Sequence, residues 1–280
     1  MRTSWKIILL IPITLSWGCF GESFTEQEKS STKGVEPLKK VDIVVVYDNN
    51  SYDERLTTAW GFSCLVRCGD TSILFDTGGD SSILLNNMKQ LKIEPQEVDV
   101  VVLSHIHGDH VGGLAGFLEQ NNKVVVYLPN SFPESFKNEV KSSGAKVEEI
   151  SHSKKLLDNV YSTGELGTVI KEQSLIIVTI KGLIIITGCA HPGIVEVVRK
   201  STELLKRTPL LVMGGFHLRW KTEQEIKEII ANFQKLGVQQ VGPCHCSGDK
   251  ARRLFENAYG KNFREIGVGR LITITEGELE

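Results

Sequence analysis

The stretch Ser104-His105-Ile106-His107-Gly108-Asp109-His110-Val111-Gly112-Gly113 (SHIHGDHVGG, 104–113) decides how this chain is read. It follows the apolar run 98–103 and puts three imidazoles and one carboxylate within six positions. Buried histidines need partners, and a solvated loop gains nothing from crowding them, so the spacing points to something these side chains hold in common. A metal ion is the first candidate. His105 and His107 stand two apart in extended chain, which turns both rings to one side, whereas Asp109 and His110 open a helical stretch and face another way. One loop can thus feed two adjacent metal positions, with Gly108, Gly112 and Gly113 permitting a tight turn and close neighbours.

The remaining histidines reinforce this. Six of the seven fall in four short segments, each after a run that reads as a strand: SHIHGDH after 98–103, GCAHPG (188–193) after 182–187, GGFHL (214–218) after 209–213, and PCHCSG (243–248) after 239–242. Side chains gathered on loops at strand ends form a rigid cluster of the kind a sheet-based enzyme uses. Further strands are expected at 41–47, 62–68, 71–76, 123–128 and 174–180, and helices at 81–90, 110–120, 131–142, 192–206, 222–236 and 247–258. Gly69-Asp70 marks a hairpin. Hairpins mixed with strand-helix alternation imply an α/β architecture of mixed sheets with outer helices.

Composition sets the class. A chain of 280 residues, 41% hydrophobic and 24% charged, supports a large soluble core, and a formal charge of -2 without a long basic run leaves no electrostatic footprint for nucleic acid. The expected partner is a small-molecule substrate and not a nucleic acid. At the start, Arg2 and Lys6 precede the apolar stretch 7–15 and the small-x-small site Ser16-Trp17-Gly18, which reads as an export signal over 1–18. That stretch is shorter than the roughly 20 residues that span a bilayer. Cys19 directly follows, as in an acylated bacterial lipoprotein, so a lipid anchor there is the expected membrane attachment; otherwise the protein is secreted or periplasmic. Residues 19–40 are polar and read as a flexible tether, leaving 41–280 as the folded domain.

With these motifs in place, the chain resembles the metallo-β-lactamase-fold superfamily, whose SHxHxDHxGG signature stands complete at 104–113. FDTG (75–78), GCAHPG, GGFHL and PCHCSG extend the likeness over most of 41–275. The last three segments resemble the branch containing the dihydropterin (ribofuranosylaminobenzene phosphate) synthases and many metal-dependent hydrolases. The resemblance implies an αββα sandwich with its site at one edge between the sheets. Carried over residue by residue, it implies one divalent ion on His105, His107 and His191 and a second on Asp109, His110 and His245. Zinc is the first choice, with manganese, iron or magnesium as alternatives. Many members carry a bridging Asp where this chain has Cys189; the cysteine leaves a thiolate bridge, a solvent bridge or a single filled site all open.

Other residues carry weaker signals. Asp76 is expected to orient the histidine loop through hydrogen bonds and not to bind metal itself. His217 reads as a ligand, a substrate contact or a packed histidine. Cys244 and Cys246 bracket His245 as packed thiols or ligands, and no spacing among Cys64, Cys68, Cys189, Cys244 and Cys246 identifies a disulfide. His152 reads as a solvated loop residue. Trp60, Phe216 and Trp220 line either a pocket or the core. The leading functional expectation is a hydrolase that cuts an ester, lactone or phosphoester of a small molecule with metal-activated water, Asp109 helping to move the proton. Second stands a synthase-like transferase joining a pterin to a phosphorylated ribosyl ring, which a cytoplasmic pathway would need and an export signal disfavours. A non-catalytic metal-binding sensor domain is third.

Overall fold

Short runs of Val, Ile and Leu closed by Gly, Asp or Pro become strands of two sheets. In the computed structural model, which describes residues 36–277, the chain first lays down β1 (Lys40–Asp48), β2 (Phe62–Cys68), β3 (Thr71–Phe75), helix α1 (Ser81–Gln90), β4 (Val100–Val102), α2 (Gly108–Val111), α3 (Leu114–Gln120), β5 (Val125–Pro129), α4 (Glu134–Ser142) and β6 (Lys146–Ile150). Then come β7 (Lys154–Leu157), β8 (Val160–Ser162), β9 (Leu175–Thr179), β10 (Gly182–Thr187), α5 (Ile194–Leu205), β11 (Pro209–Gly215), α6 (Glu223–Lys235), β12 (Gln240–Cys244), α7 (Asp249–Tyr259) and β13 (Leu271–Thr275). The sheet orders are β13-β1-β2-β3-β4-β5-β6 and β12-β11-β10-β9-β8-β7. Both are mixed: β3 to β6 and β10 to β12 run parallel, and the other pairs are antiparallel.

The two-residue period of the strands sorts their side chains into three apolar layers. Val41, Ile43 and Val45 of β1 meet Ile184 and Ile186 of β10 between the sheets. Val44 and Val46 turn outward to Leu84, Leu114 and Phe117 under α1 and α3. Leu183 and Ile185 turn toward Val197, Ile226 and Phe255 under α5, α6 and α7. Layers of helix, sheet, sheet and helix follow, the expected αββα sandwich. Because both faces of the central strands are buried, β4 is all valine and shows no polar alternation.

Several boundaries differ from the sequence reading. The helix expected over 110–120 divides into α2 and α3 at Gly112-Gly113, because Gly113 lies against the turn after β3, where an added Cβ would fall 2.1 Å from the Thr77 carbonyl oxygen. β6, β7, β8 and β13 were not expected from sequence. The folded part also starts before residue 41: Lys40 opens β1, and Leu38 exchanges backbone hydrogen bonds with Val178 and Ile180. Of the segment read as tether, 36–40 therefore belongs to the fold. The export-signal reading and Cys19 lie outside the described residues. Among the described residues, no helix is long and apolar enough to cross a membrane.

Candidate metal centre

The loops that follow β3, β4, β10, β11 and β12 meet at one edge of the sandwich, and hydrogen bonds fix how each histidine presents itself. After β3, Asp76 Oδ1 accepts the Ser104 backbone N–H at 2.7 Å, while its Oδ2 accepts the Ser104 hydroxyl at 2.7 Å and His110 Nδ1–H at 2.7 Å. With its proton committed to Asp76, the Ser104 oxygen accepts from His105 Nδ1 at 2.8 Å. His191 donates Nδ1–H to Glu172 Oε2 at 2.9 Å, and His245 donates Nδ1–H to Asn49 Oδ1 at 2.9 Å. Four imidazoles thus have Nδ1 occupied and Nε2 left as a lone pair, the arrangement that metal-binding histidines adopt.

Those lone pairs converge. His105, His107 and His191 form one group, and Asp109, His110 and His245 another, with the ligand atoms in each lying within 4.8 Å of one another. His107 Nδ1 is 3.1 Å from His105 Nε2. Asp109 Oδ2 lies 3.6 Å from His110 Nε2 and 3.3 Å from His245 Nε2. Cys189 Sγ sits 3.2 Å from His110 Nε2 and groups with His105 and His110, one residue from each set. These groups can hold one or two divalent ions.

The chemistry of the donors fits a cation. His245 Nε2 is buried and makes no hydrogen bond despite its closeness to Asp109, an orphaned acceptor of the kind a metal satisfies. Burial lowers His105 to about 3 and His110 to about 4, so both are neutral ligands at ordinary pH. Burial also lifts Asp76 to about 7, and a cation nearby would restore the charge that burial opposes. Burial alone would raise Asp109 too, yet its contact with His245 holds it well below the usual carboxylate range.

The backbone is strained here. Among the described residues, seven non-glycine residues have positive φ, and four of them, Asp76 (55°), Ala190 (59°), His217 (54°) and His245 (47°), lie in these loops. Such conformations persist only where surrounding contacts enforce them. Gly188 answers to the same crowding: a Cβ there would sit 2.1 Å from Ser104 Oγ.

Around the centre, Asp76 is bonded to Ser104 and His110 and belongs to none of the ligand groups. His217 is exposed, with its ring 4.6 Å from that of His191, and groups with Cys189 and Cys246 in a further His/Cys set. Cys246 Sγ accepts the His217 backbone N–H at 3.3 Å. Cys64, Cys68, Cys189, Cys244 and Cys246 are all buried free thiols. His152 is exposed in a bend after β6 and belongs to none of these ligand groups. Beside His191 and His217 opens a cleft of about 610 Å³, lined also by Lys221, Glu228 and Asn232. Of the three aromatics, Phe216 belongs to the core, packed on Phe233 and Phe255, whereas Trp60 and Trp220 are exposed.

Sequence reasoning missed Glu172 and Asn49. Glu172, fully buried before β9, accepts the backbone N–H groups of Cys189, Ala190 and His191 as well as the His191 ring. Burial would raise its pKa, but the bonds it accepts from the His191 ring and backbone hold it well below the carboxylate range. Its only sequence signal is a carboxylate in KEQS (171–174) directly before an apolar strand.

Comparison with known proteins agrees with this geometry. Residues 61–200 match the model of the metallo-beta-lactamase superfamily. The chain is 30% identical to 7,8-dihydropterin-6-methyl-4-(beta-D-ribofuranosyl)-aminobenzene-5'-phosphate synthase of Methanocaldococcus jannaschii over 84% of this chain and 98% of that protein. A solved metal-dependent hydrolase of the beta-lactamase superfamily superposes with a TM-score of 0.72 at 27% identity, covering 83% of this chain and 98% of that one. One expectation is corrected. The chain is 34% identical to ribonuclease Z of Nanoarchaeum equitans over 68 residues, 22% of this chain and 21% of that protein, which overturns the exclusion of a nucleic-acid partner. Net charge sums the whole surface, whereas a backbone-binding footprint is local, so a near-neutral total excludes nothing.

Proposed function

Because the chain belongs to the metallo-β-lactamase superfamily, we propose that it is a metal-dependent enzyme acting on a phosphorylated small molecule, with synthase-like group transfer ranked ahead of plain hydrolysis. The observation that carries this order is the likeness to the M. jannaschii synthase, which runs over 98% of that protein. It reverses the ranking drawn from sequence. The hydrolase stays second, supported by the likeness to a solved metal-dependent hydrolase at 27% identity.

In this reading His105, His107 and His191 would hold one divalent ion and Asp109, His110 and His245 the other. The imidazole and carboxylate donors suit zinc first. Such ions supply Lewis acidity toward a phosphoryl oxygen. The chain supplies the rest. Asp109, held ionised, accepts a proton at the reacting edge. Asp76 and Glu172 keep His110 and His191 in the tautomer that presents Nε2. The named product of the synthase joins a pterin methyl carbon to an aminobenzene nitrogen; forming that bond costs the amine one proton and the pterin one leaving group.

The test offers metal-loaded protein 6-hydroxymethyl-7,8-dihydropterin diphosphate together with a 4-aminophenyl ribosyl phosphate, and in parallel a panel of phosphodiesters and lactones. Mass spectrometry is expected to find the coupled product and released diphosphate. Turnover of the panel without coupling would put the hydrolase first, and metal binding without either reaction would favour the sensor.

A further inference from the structure

Three large planar groups meet at the mouth of the centre, and the proposed function uses none of them. Trp60 comes from the loop between β1 and β2, and Arg219 and Trp220 from the loop between β11 and α6. The Arg219 guanidinium carbon lies over the Trp60 ring, 5.4 Å from its centre, and over the Trp220 ring, also 5.4 Å from its centre. The Trp60 ring is in turn 4.7 Å from that of His245, one of the candidate ligands. The row therefore runs from the metal centre outward.

The row is open to solvent. Trp60 is 45% and Trp220 85% exposed, the latter an unusual cost for the largest apolar side chain. No carboxylate among the described residues pairs with Arg219, while its neighbour Lys221 is bonded to Glu225 at 2.8 Å. An indole–guanidinium–indole row offers flat faces for stacking, and an unpaired guanidinium offers a fork of donors for an anion. The same loop also lines the 610 Å³ cleft through His217, Leu218 and Lys221. Arg219 and Trp220 thus share with the cleft the loop between β11 and α6, while Trp60 reaches them from the loop between β1 and β2.

We propose that Trp60, Arg219 and Trp220 form the subsite for a planar heteroaromatic ring carrying an anionic group, stacked on the indoles with its anion on Arg219. This rests on the synthase-like reading for the identity of the ring, but not for the existence of the subsite. Trp220 and Arg219 are specificity-determining residues that set binding and leave the chemical step alone.

Binding of pterin-6-carboxylate, titrated by its own fluorescence against the metal-loaded full chain, tests this, with cyclohexanecarboxylate as a non-aromatic anion of equal charge. Stacking on one aromatic side chain corresponds to roughly 5- to 150-fold in affinity. Trp220→Ala is expected to weaken pterin-6-carboxylate within that range, Trp220→Phe to recover part of it, and Arg219→Gln to weaken it as well. Cyclohexanecarboxylate should compete poorly with the unaltered protein. Metal content and melting temperature of the Trp220 variants, whose side chain is largely solvated, should not change. Unchanged affinity in Trp220→Ala, or equal competition by cyclohexanecarboxylate, would overturn the subsite. If ring binding depends on Trp220 while no coupling reaction is found, the subsite stands and the synthase-like reading fails. If coupling is found with KM for the pterin substrate unmoved by Trp220→Ala, the subsite fails alone.

Discussion

Glu172 Oε2 lies 2.9 Å from His191 Nδ1 and also 2.9 Å from the His191 backbone nitrogen, so one buried carboxylate fixes both the ring and the chain that carries it. Its other oxygen takes the N–H groups of Cys189 and Ala190, each at 2.8 Å. The loop after β10 is therefore built around an anion, and its left-handed turn at Ala190 is held by it.

Replacing Glu172 by Gln keeps size but substitutes donors where donors already point. His191 is then expected to lose its fixed tautomer, and metal affinity measured by chelator competition should fall about 10- to 100-fold. Glu172→Ala should in addition lower stability by about 2–5 kcal/mol in denaturant melts, because several buried donors lose their acceptor. An unchanged metal affinity in a folded Glu172→Gln protein would remove Glu172 from the account of the centre.

Metal content tests the two-set arrangement directly. Protein prepared with supplemented zinc should carry close to two ions per chain in elemental analysis, since two three-ligand groups stand side by side. Chelation should abolish activity and lower the melting temperature, because ions that bind only the folded chain stabilise it. One tight ion would point to Cys189 failing to replace a bridging carboxylate, and less than half an ion would sink the metal reading.

Asp109→Ala and His107→Ala should each reduce turnover by far more than 100-fold, the scale of an indirect effect, while His152→Ala, exposed and outside the ligand groups, leaves it unchanged. Melts must run beside the assays, since these loops tie two sheets together. A folded Asp109→Ala protein with near-full activity would move the chemistry away from SHIHGDHVGG.

What sequence reveals about this molecule depends on the distance over which partners act. The four histidine loops are legible because each follows a β-branched run, and the sandwich because strands such as 182–187 alternate with amphipathic helices. Glu172 and Asn49 are not, because their partners lie 19 and 196 residues away and leave no local pattern. β6 hides for another reason: its sequence KVEEI is charged, as suits the edge of the seven-stranded sheet. β7 closes the other sheet in the same way with Lys154 and Lys155. Trp60 and Trp220 were legible as aromatics but not as exposed ones, since exposure is set by which loops meet.

Gly188 gives the sharpest test of how tightly those loops meet. A Cβ at this position would lie 2.1 Å from Ser104 Oγ and 2.9 Å from Asp76 Oδ2. Neither atom can give way freely, because the Ser104 hydroxyl is held between Asp76 and His105, and Asp76 also holds His110. Gly188→Ala should therefore push Ser104 aside, cost about 1–3 kcal/mol in denaturant melts as overpacking does, and loosen His105 and His110 together. Metal affinity should fall with stability. Gly108→Ala is the companion change: nothing lies within 4 Å of its added Cβ, and it opens the short helix α2. Its stability should stay within about 0.5 kcal/mol of the parent. If Gly188→Ala melts and binds zinc like the parent, then the Ser104 relay does not hold these two histidines, and their orientation must come from the metal itself.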